Sequence, residues 1–159
     1  MVNILVVDDH STSLRLVSFI LQQNNYQTSL AMNGLQALDC LAEQYFDLVI
    51  TDLYMPELDG FGLLQCMRSN ERYRTIPVIV LTGNVHGLEQ MSSQESRGMA
   101  FLTKPIGSDE LLKTIERLLA VRVLDQPGSV AAAASEPGPE QVGSLGFLGL
   151  RFKKKIHMV

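Results

Sequence analysis

Five short runs of aliphatic and β-branched residues, at positions 4–7, 28–31, 48–51, 78–81 and 100–103, alternate with segments of about ten residues whose apolar positions recur at helical spacing. Few folds accept that order. Strands separated by helices cannot pair through tight hairpins, so they pair in parallel and the helices cover both faces of the sheet. The runs beginning at Ile4, Leu48 and Val78 are almost unbroken hydrophobes, as strands buried on both faces should be. The run containing Gln27, Thr28 and Ser29 is mixed and reads as an edge strand. The pattern predicts a single α/β domain, doubly wound, of five strand–helix repeats.

The helical faces follow from spacing. Leu14, Val17 and Leu21 mark the first, Leu38 and Leu41 the second, Phe61, Leu64 and Met67 the third, and Leu111, Ile115 and Leu118 the last. Ser108 is expected to cap the last helix, with Asp109 and Glu110 in its first turn complementing the macrodipole. A fourth helix over residues 87–97 has only Leu88 and Met91 as clear anchors, among glutamines and serines. Asn33-Gly34 reads as a turn before the second helix.

In an open parallel sheet, ligands bind at the carboxyl ends of the strands. Asp8, Asp9, Asp52, Thr82 and Lys104 each end or directly follow a strand, so the fold gathers them at one edge. Two like charges about 4 Å apart repel by roughly 4 kcal/mol at an effective dielectric near 20. Three converging carboxylates therefore call for protonation or a cation, and short hard-oxygen side chains suit Mg²⁺. Lys104 and the Thr82 hydroxyl would face a phosphoryl oxygen with a positive charge and a hydrogen bond. A metal seat, a carboxylate nucleophile and two phosphoryl-facing groups fit phosphoryl transfer onto an aspartate.

These residues carry a resemblance. ILVVDD at residues 4–9, DLVITDLYMPELDG at 47–60, VIVLTG at 78–83 and FLTKPI at 101–106 resemble, in order, the motifs of the bacterial response-regulator receiver family, the phosphoacceptor half of two-component signalling. The likeness spans about residues 3–120. It implies a CheY-like, flavodoxin-like fold with strand order 2-1-3-4-5. It makes Asp52 the phosphorylated residue and Asp8, Asp9, Asp52 and the Tyr54 backbone carbonyl the Mg²⁺ ligands. Thr82 becomes the switch hydroxyl and Phe101 the aromatic whose rotamer follows it. Lys104 pairs with the phosphate, Lys104-Pro105 is a cis peptide, and Tyr54 and Asn84 tune dephosphorylation. Met55-Pro56 and Asp59-Gly60 shape the loop that presents Asp52. Output is expected on the face of the fourth helix, fifth strand and fifth helix, although Gly98 and the polar fourth helix depart from the family's usual pattern there.

Competing chemistries are poorer fits. An aspartate-nucleophile phosphatase of the haloacid dehalogenase type wants a second Asp at position 54, which is Tyr. A flavin carrier wants a Ser/Thr/Gly-rich phosphate loop where Asp8-Asp9-His10 stands. His10, His86 and His157 are scattered, which argues against a histidine metal site. The expected protein is a signalling phosphoacceptor and not a conventional enzyme, receiving its phosphoryl group from a histidine kinase or phosphotransfer protein. The alternative is a phosphorylation-independent interaction module, or a regulator truncated of its effector.

An apolar fraction of 46% with 19% charged residues is that of a soluble globular chain, and no export signal or membrane span is apparent, so a cytoplasmic setting is expected. Cys40 and Cys66 lie in helical patterns outside any metal spacing and read as reduced packing residues. Up to Ala120 there are 8 basic and 14 acidic residues; from Val121 there are 5 and 3. The acidic body argues against direct nucleic-acid binding. The receiver domain is expected over residues 1–121, a low-complexity linker over 122–143, and an apolar, basic tail over 144–159. The tail reads first as a solvated end; contact with a membrane surface or an acidic partner is the lesser reading.

Overall fold

A computed structural model describes residues 1–83 and 98–124. Its elements run β1 (Asn3–Val7), α1 (Ser11–Gln23), β2 (Gln27–Ala31), α2 (Gly34–Glu43), β3 (Leu48–Asp52), α3 (Gly60–Ser69), β4 (Val78–Thr82), β5 (Met99–Thr103) and α4 (Ser108–Leu124). The expected helix over residues 87–97 lies outside the described residues, so the expected fifth helix is α4 here. All five strands pair in parallel in the order β2-β1-β3-β4-β5. The expected α/β architecture and strand order are those of the molecule.

Strand alternation divides the core cleanly. Ile4, Ile50, Leu81 and Leu102 face one side, where α1 and α4 bury Leu14, Val17, Leu21, Leu111, Ile115 and Leu118. Leu5, Val49, Val78 and Val80 face the other, against Ala37 and Leu41 of α2 and Leu63 and Met67 of α3. Each fully buried aliphatic side chain contributes about 1.5–3 kcal/mol to holding a helix on the sheet. The central strands β3 and β4 are buried along their whole length, while β2 is exposed at Gln27 and Leu30, as an edge is.

Three local expectations are corrected. In α3 the buried positions are Gly60, Leu63 and Met67; Phe61 is exposed and Leu64 only partly buried. Ser108 is the first helical residue of α4 rather than its cap, because the Gly107 carbonyl accepts the first intrahelical bond from Leu111 N at 3.0 Å. Asn33 is more than a turn residue: it caps α2, its side chain accepting from Gln36 N at 2.8 Å. The helix α4 runs through Leu124, three residues into the expected linker. The rest of that linker and the tail lie outside the described residues. Cys40 is partly buried and Cys66 exposed, and neither forms a disulfide. Among the described residues no helix is long and apolar enough to cross a membrane.

Candidate functional site

Each site residue is delivered by a strand end. Asp8 follows β1 and is anchored to the neighbouring strand through Asp8 N and Ala31 O at 3.1 Å. Asp52 ends β3, Thr82 ends β4, and Lys104 follows β5, its amide donating to Thr82 O at 2.8 Å. Asp8 and Asp52 are 1% and 7% exposed. Carboxylates so buried need partners.

The structure supplies them unevenly. Lys104 Nζ donates to Asp8 Oδ2 at 2.7 Å and stands 3.4 Å from Asp52 Oδ1. Asp8 Oδ1 also accepts from His10 N at 2.8 Å. Asp52 Oδ1 accepts from Leu53 N at 2.9 Å. One ammonium thus serves two acids and lies closer to Asp8. Burial pushes Asp52 above the usual carboxylate range; Lys104 pulls it down, Asp8 pushes it further up, and the net shift is upward. Burial alone would lower Lys104, but its hydrogen bond to Asp8 and the charges of Asp52 and Asp8 outweigh that and raise it.

Asp9 Oδ1 is buried with no hydrogen-bond donor; His10 Nδ1 lies 2.8 Å away but is not aligned to donate. Asp8, Asp9, His10 and Asp52 offer ligand atoms all within 4.8 Å of one another. An oxygen-rich cluster with an orphaned buried carboxylate oxygen is what a hard divalent cation would satisfy. His10 belongs to this cluster although its sequence position among scattered histidines did not suggest it. Its adjacency to Asp8-Asp9 was the available signal.

The connection from β3 to α3 is tightly built. Gly60 N donates to Leu53 O at 2.9 Å, and a Cβ on Gly60 would collide with the Asp52 carbonyl oxygen, so only glycine fits. Asp59 caps α3, accepting from Gly62 N at 2.8 Å. Tyr54, two residues beyond Asp52, is exposed. Thr82 is fully buried. Phe101 is partly buried on β5 opposite Val80, so alternation sets it on the same sheet face as Thr82. The Lys104-Pro105 peptide is cis. Asn84 lies outside the described residues.

Sequence reasoning missed a second contact to this loop. Asn33 Nδ2 donates to Glu57 Oε2 at 2.7 Å, and Gly34 N donates to Leu58 O at 3.0 Å.

The chain is similar to known proteins along this same stretch. A family model described as the response regulator receiver domain matches residues 4–116. The transcriptional regulatory protein ZraR of Klebsiella oxytoca is 34% identical over 134 residues, covering 84% of this chain and 30% of that protein. The chain spans less than a third of the length of the first curated relatives it matches. A signal receiver domain of a signal transduction histidine kinase from Syntrophus aciditrophicus is 33% identical with a TM-score of 0.70, covering 84% of this chain and all of that one. The receiver domain of a Pseudomonas aeruginosa sensor histidine kinase, solved with a magnesium ion coordinated in its active site cleft, is 28% identical with a TM-score of 0.67, covering 74% and 97%. The matched stretch begins in β1, ends in α4 and contains every strand-end residue of the site, and the chain belongs to the response regulator receiver domain family.

Proposed function

We propose that Asp52 accepts a phosphoryl group from a histidine kinase or phosphotransfer protein in a Mg²⁺-dependent reaction, and that the phosphorylated protein presents an altered interaction surface. The observation that carries the reading is the shared ammonium: Lys104 bridges Asp8 and Asp52 at the mouth of a buried acidic cluster. Asp8, Asp9 and Asp52 through their carboxylates, and Tyr54 through its carbonyl, are the groups that would hold the cation. When bound, Mg²⁺ supplies positive charge to the phosphoryl oxygens.

The chain's own residues do the rest. The contacts of Asp52 with Leu53 N and Lys104 both fall on Oδ1, which offers Oδ2 to phosphorus. As the oxygen–phosphorus bond forms, the nitrogen–phosphorus bond of the donor phosphohistidine breaks, and the imidazole leaves with that electron pair and takes a proton from water. Lys104 keeps its proton and turns from Asp52 to the incoming phosphoryl oxygen. Thr82 supplies the switch hydroxyl, and the ring of Phe101 follows it. Tyr54 and Asn84 set how long the acyl phosphate survives. The output face is that of residues 87–97, β5 and α4, and its target is a protein. The receiver is assigned to residues 1–121 with the extension of α4, in a cytoplasmic setting.

Intact mass after incubation with acetyl phosphate tests the reading. Wild type gains one phosphoryl group only with Mg²⁺, and Asp52→Asn gains none. If the adduct hydrolyses too fast to weigh, beryllofluoride binding replaces it. Failure of both in wild type overturns phosphotransfer and leaves the phosphate-independent interaction module.

A further inference from the structure

Glu57 has φ +67°, a left-handed backbone that a side-chain-bearing residue enters only when its surroundings enforce it. It lies five residues beyond Asp52, in the connection that also contains Tyr54. The enforcing contacts come from α2, an element that contributes nothing else to the site. Asn33, 8% exposed, uses both ends of its amide: Oδ1 caps α2 on Gln36 N at 2.8 Å, and Nδ2 donates to the Glu57 carboxylate at 2.7 Å. Beside it Gly34 N donates to Leu58 O at 3.0 Å, and a Cβ on Gly34 would stand 2.6 Å from that same oxygen. A Cβ on Gly62 would meet the Leu58 side chain, so Leu58 is wedged between the starts of α2 and α3. The connection is therefore held at its two ends, by Gly60 on Asp52 and Leu53 and by α2 on Glu57 and Leu58. Leu53 N, the donor to Asp52, is also held by the sheet, donating to Leu81 O at 3.0 Å, whereas the Tyr54 carbonyl lies between the two clamps.

We infer that Asn33 is a positioning residue for the phosphoacceptor loop: by holding Glu57 in its left-handed backbone it fixes the Tyr54 carbonyl that would ligate the cation. The inference rests on the phosphoacceptor reading for its effect on chemistry, while its mechanical half stands without it. A side chain that only capped α2 would need its oxygen alone, and the amide nitrogen is what separates the two roles.

Asn33→Asp makes that separation. It keeps an oxygen for Gln36 N, removes the donor to Glu57 and sets a second carboxylate against it. Adding Glu57→Gly removes both the repulsion and the penalty of the left-handed backbone, since glycine adopts it freely. In metal-free protein, amide hydrogen exchange at Tyr54 is expected to quicken in Asn33→Asp and to return to the wild-type rate in the double variant, while that at Leu53, bonded to Leu81 O in the sheet, stays unchanged. Mg²⁺ affinity by titration calorimetry is expected to fall about tenfold and to recover likewise, as for lost supporting hydrogen bonds at metal sites. Phosphorylation by acetyl phosphate is expected to slow at low Mg²⁺ and to approach the wild-type rate at saturation. Unchanged exchange at Tyr54 in Asn33→Asp, or losses that Glu57→Gly does not restore, would overturn the positioning role even where wild type is phosphorylated normally. A wild type that binds neither Mg²⁺ nor phosphoryl group would overturn the reading of the site, and the exchange measurement would then decide the clamp alone.

Discussion

Asp52 is held in a form that does not suit its charge. Its carboxyl is raised above the ordinary range, so the folded chain binds that proton more tightly than the unfolded chain does. The stability this group contributes is present below the unfolded carboxylate value, about 3.9, and is lost as pH rises through its raised folded value. At neutral pH the ionised Asp52 is a cost. Asp52→Asn keeps an oxygen for Leu53 N and removes that cost, so in metal-free buffer at pH 7 it should melt above wild type. Thermal melts should show the gap closing as pH falls towards 4. These acids were legible in the sequence because each stands where an apolar run stops, and a strand end in a parallel sheet has one destination. The pairing of Asn33 with Glu57 was not. It joins residues 24 apart in the chain through a left-handed glutamate that no composition or spacing rule singles out.

Helix α3 shows how a pattern can be read in the wrong phase. Phe61, Leu64 and Met67 are spaced by three and three, which drifts around a helix of 3.6 residues per turn. Gly60, Leu63 and Met67 are spaced by three and four and hold one side. What fixes the rotation is Gly60, pressed on the Asp52 carbonyl so closely that the helix can start in only one orientation. Sequence periodicity carries no trace of that contact, because it lies between elements. The two frames make opposite predictions about stability. Leu63→Ala should cost about 2–5 kcal/mol in urea unfolding, as buried leucine truncations do. Phe61→Ala should stay within about 0.5 kcal/mol, as exposed substitutions do. The amphipathic faces of α1 and α4 were legible because their anchors repeat at three and four without such an external constraint.

At the scale of the molecule, a sheet covered on both faces presents its acids at one edge and little else to neutralise them. A cation that binds only the folded chain stabilises it by about 2.7 kcal/mol at a hundredfold excess over its Kd. Mg²⁺ should therefore raise the melting temperature of wild type, EDTA should reverse the rise, and Asp9→Asn should largely abolish it. The overall architecture was legible because five alternations of strand and helix leave few other solutions; the strand boundaries each fell one residue short, in four strands because a polar residue, Asn3, Gln27, Asp52 or Thr82, continues the backbone ladder, and in β5 at Met99. The contact between Lys104 and Asp8 spans 96 positions, from the edge strand β5 past β4 and β3 to β1. Its consequence is one of timing. During synthesis β1 and β3 emerge, and their acids can meet, well before position 104 exists. The half-made sheet thus carries mutually repelling charge at its carboxyl edge, and closure by the last strand both completes the sheet and brings Lys104 to Asp8 and Asp52. The protein cannot offer a finished site until its final strand has docked, so a chain interrupted before β5 holds the nucleophile without its counterion.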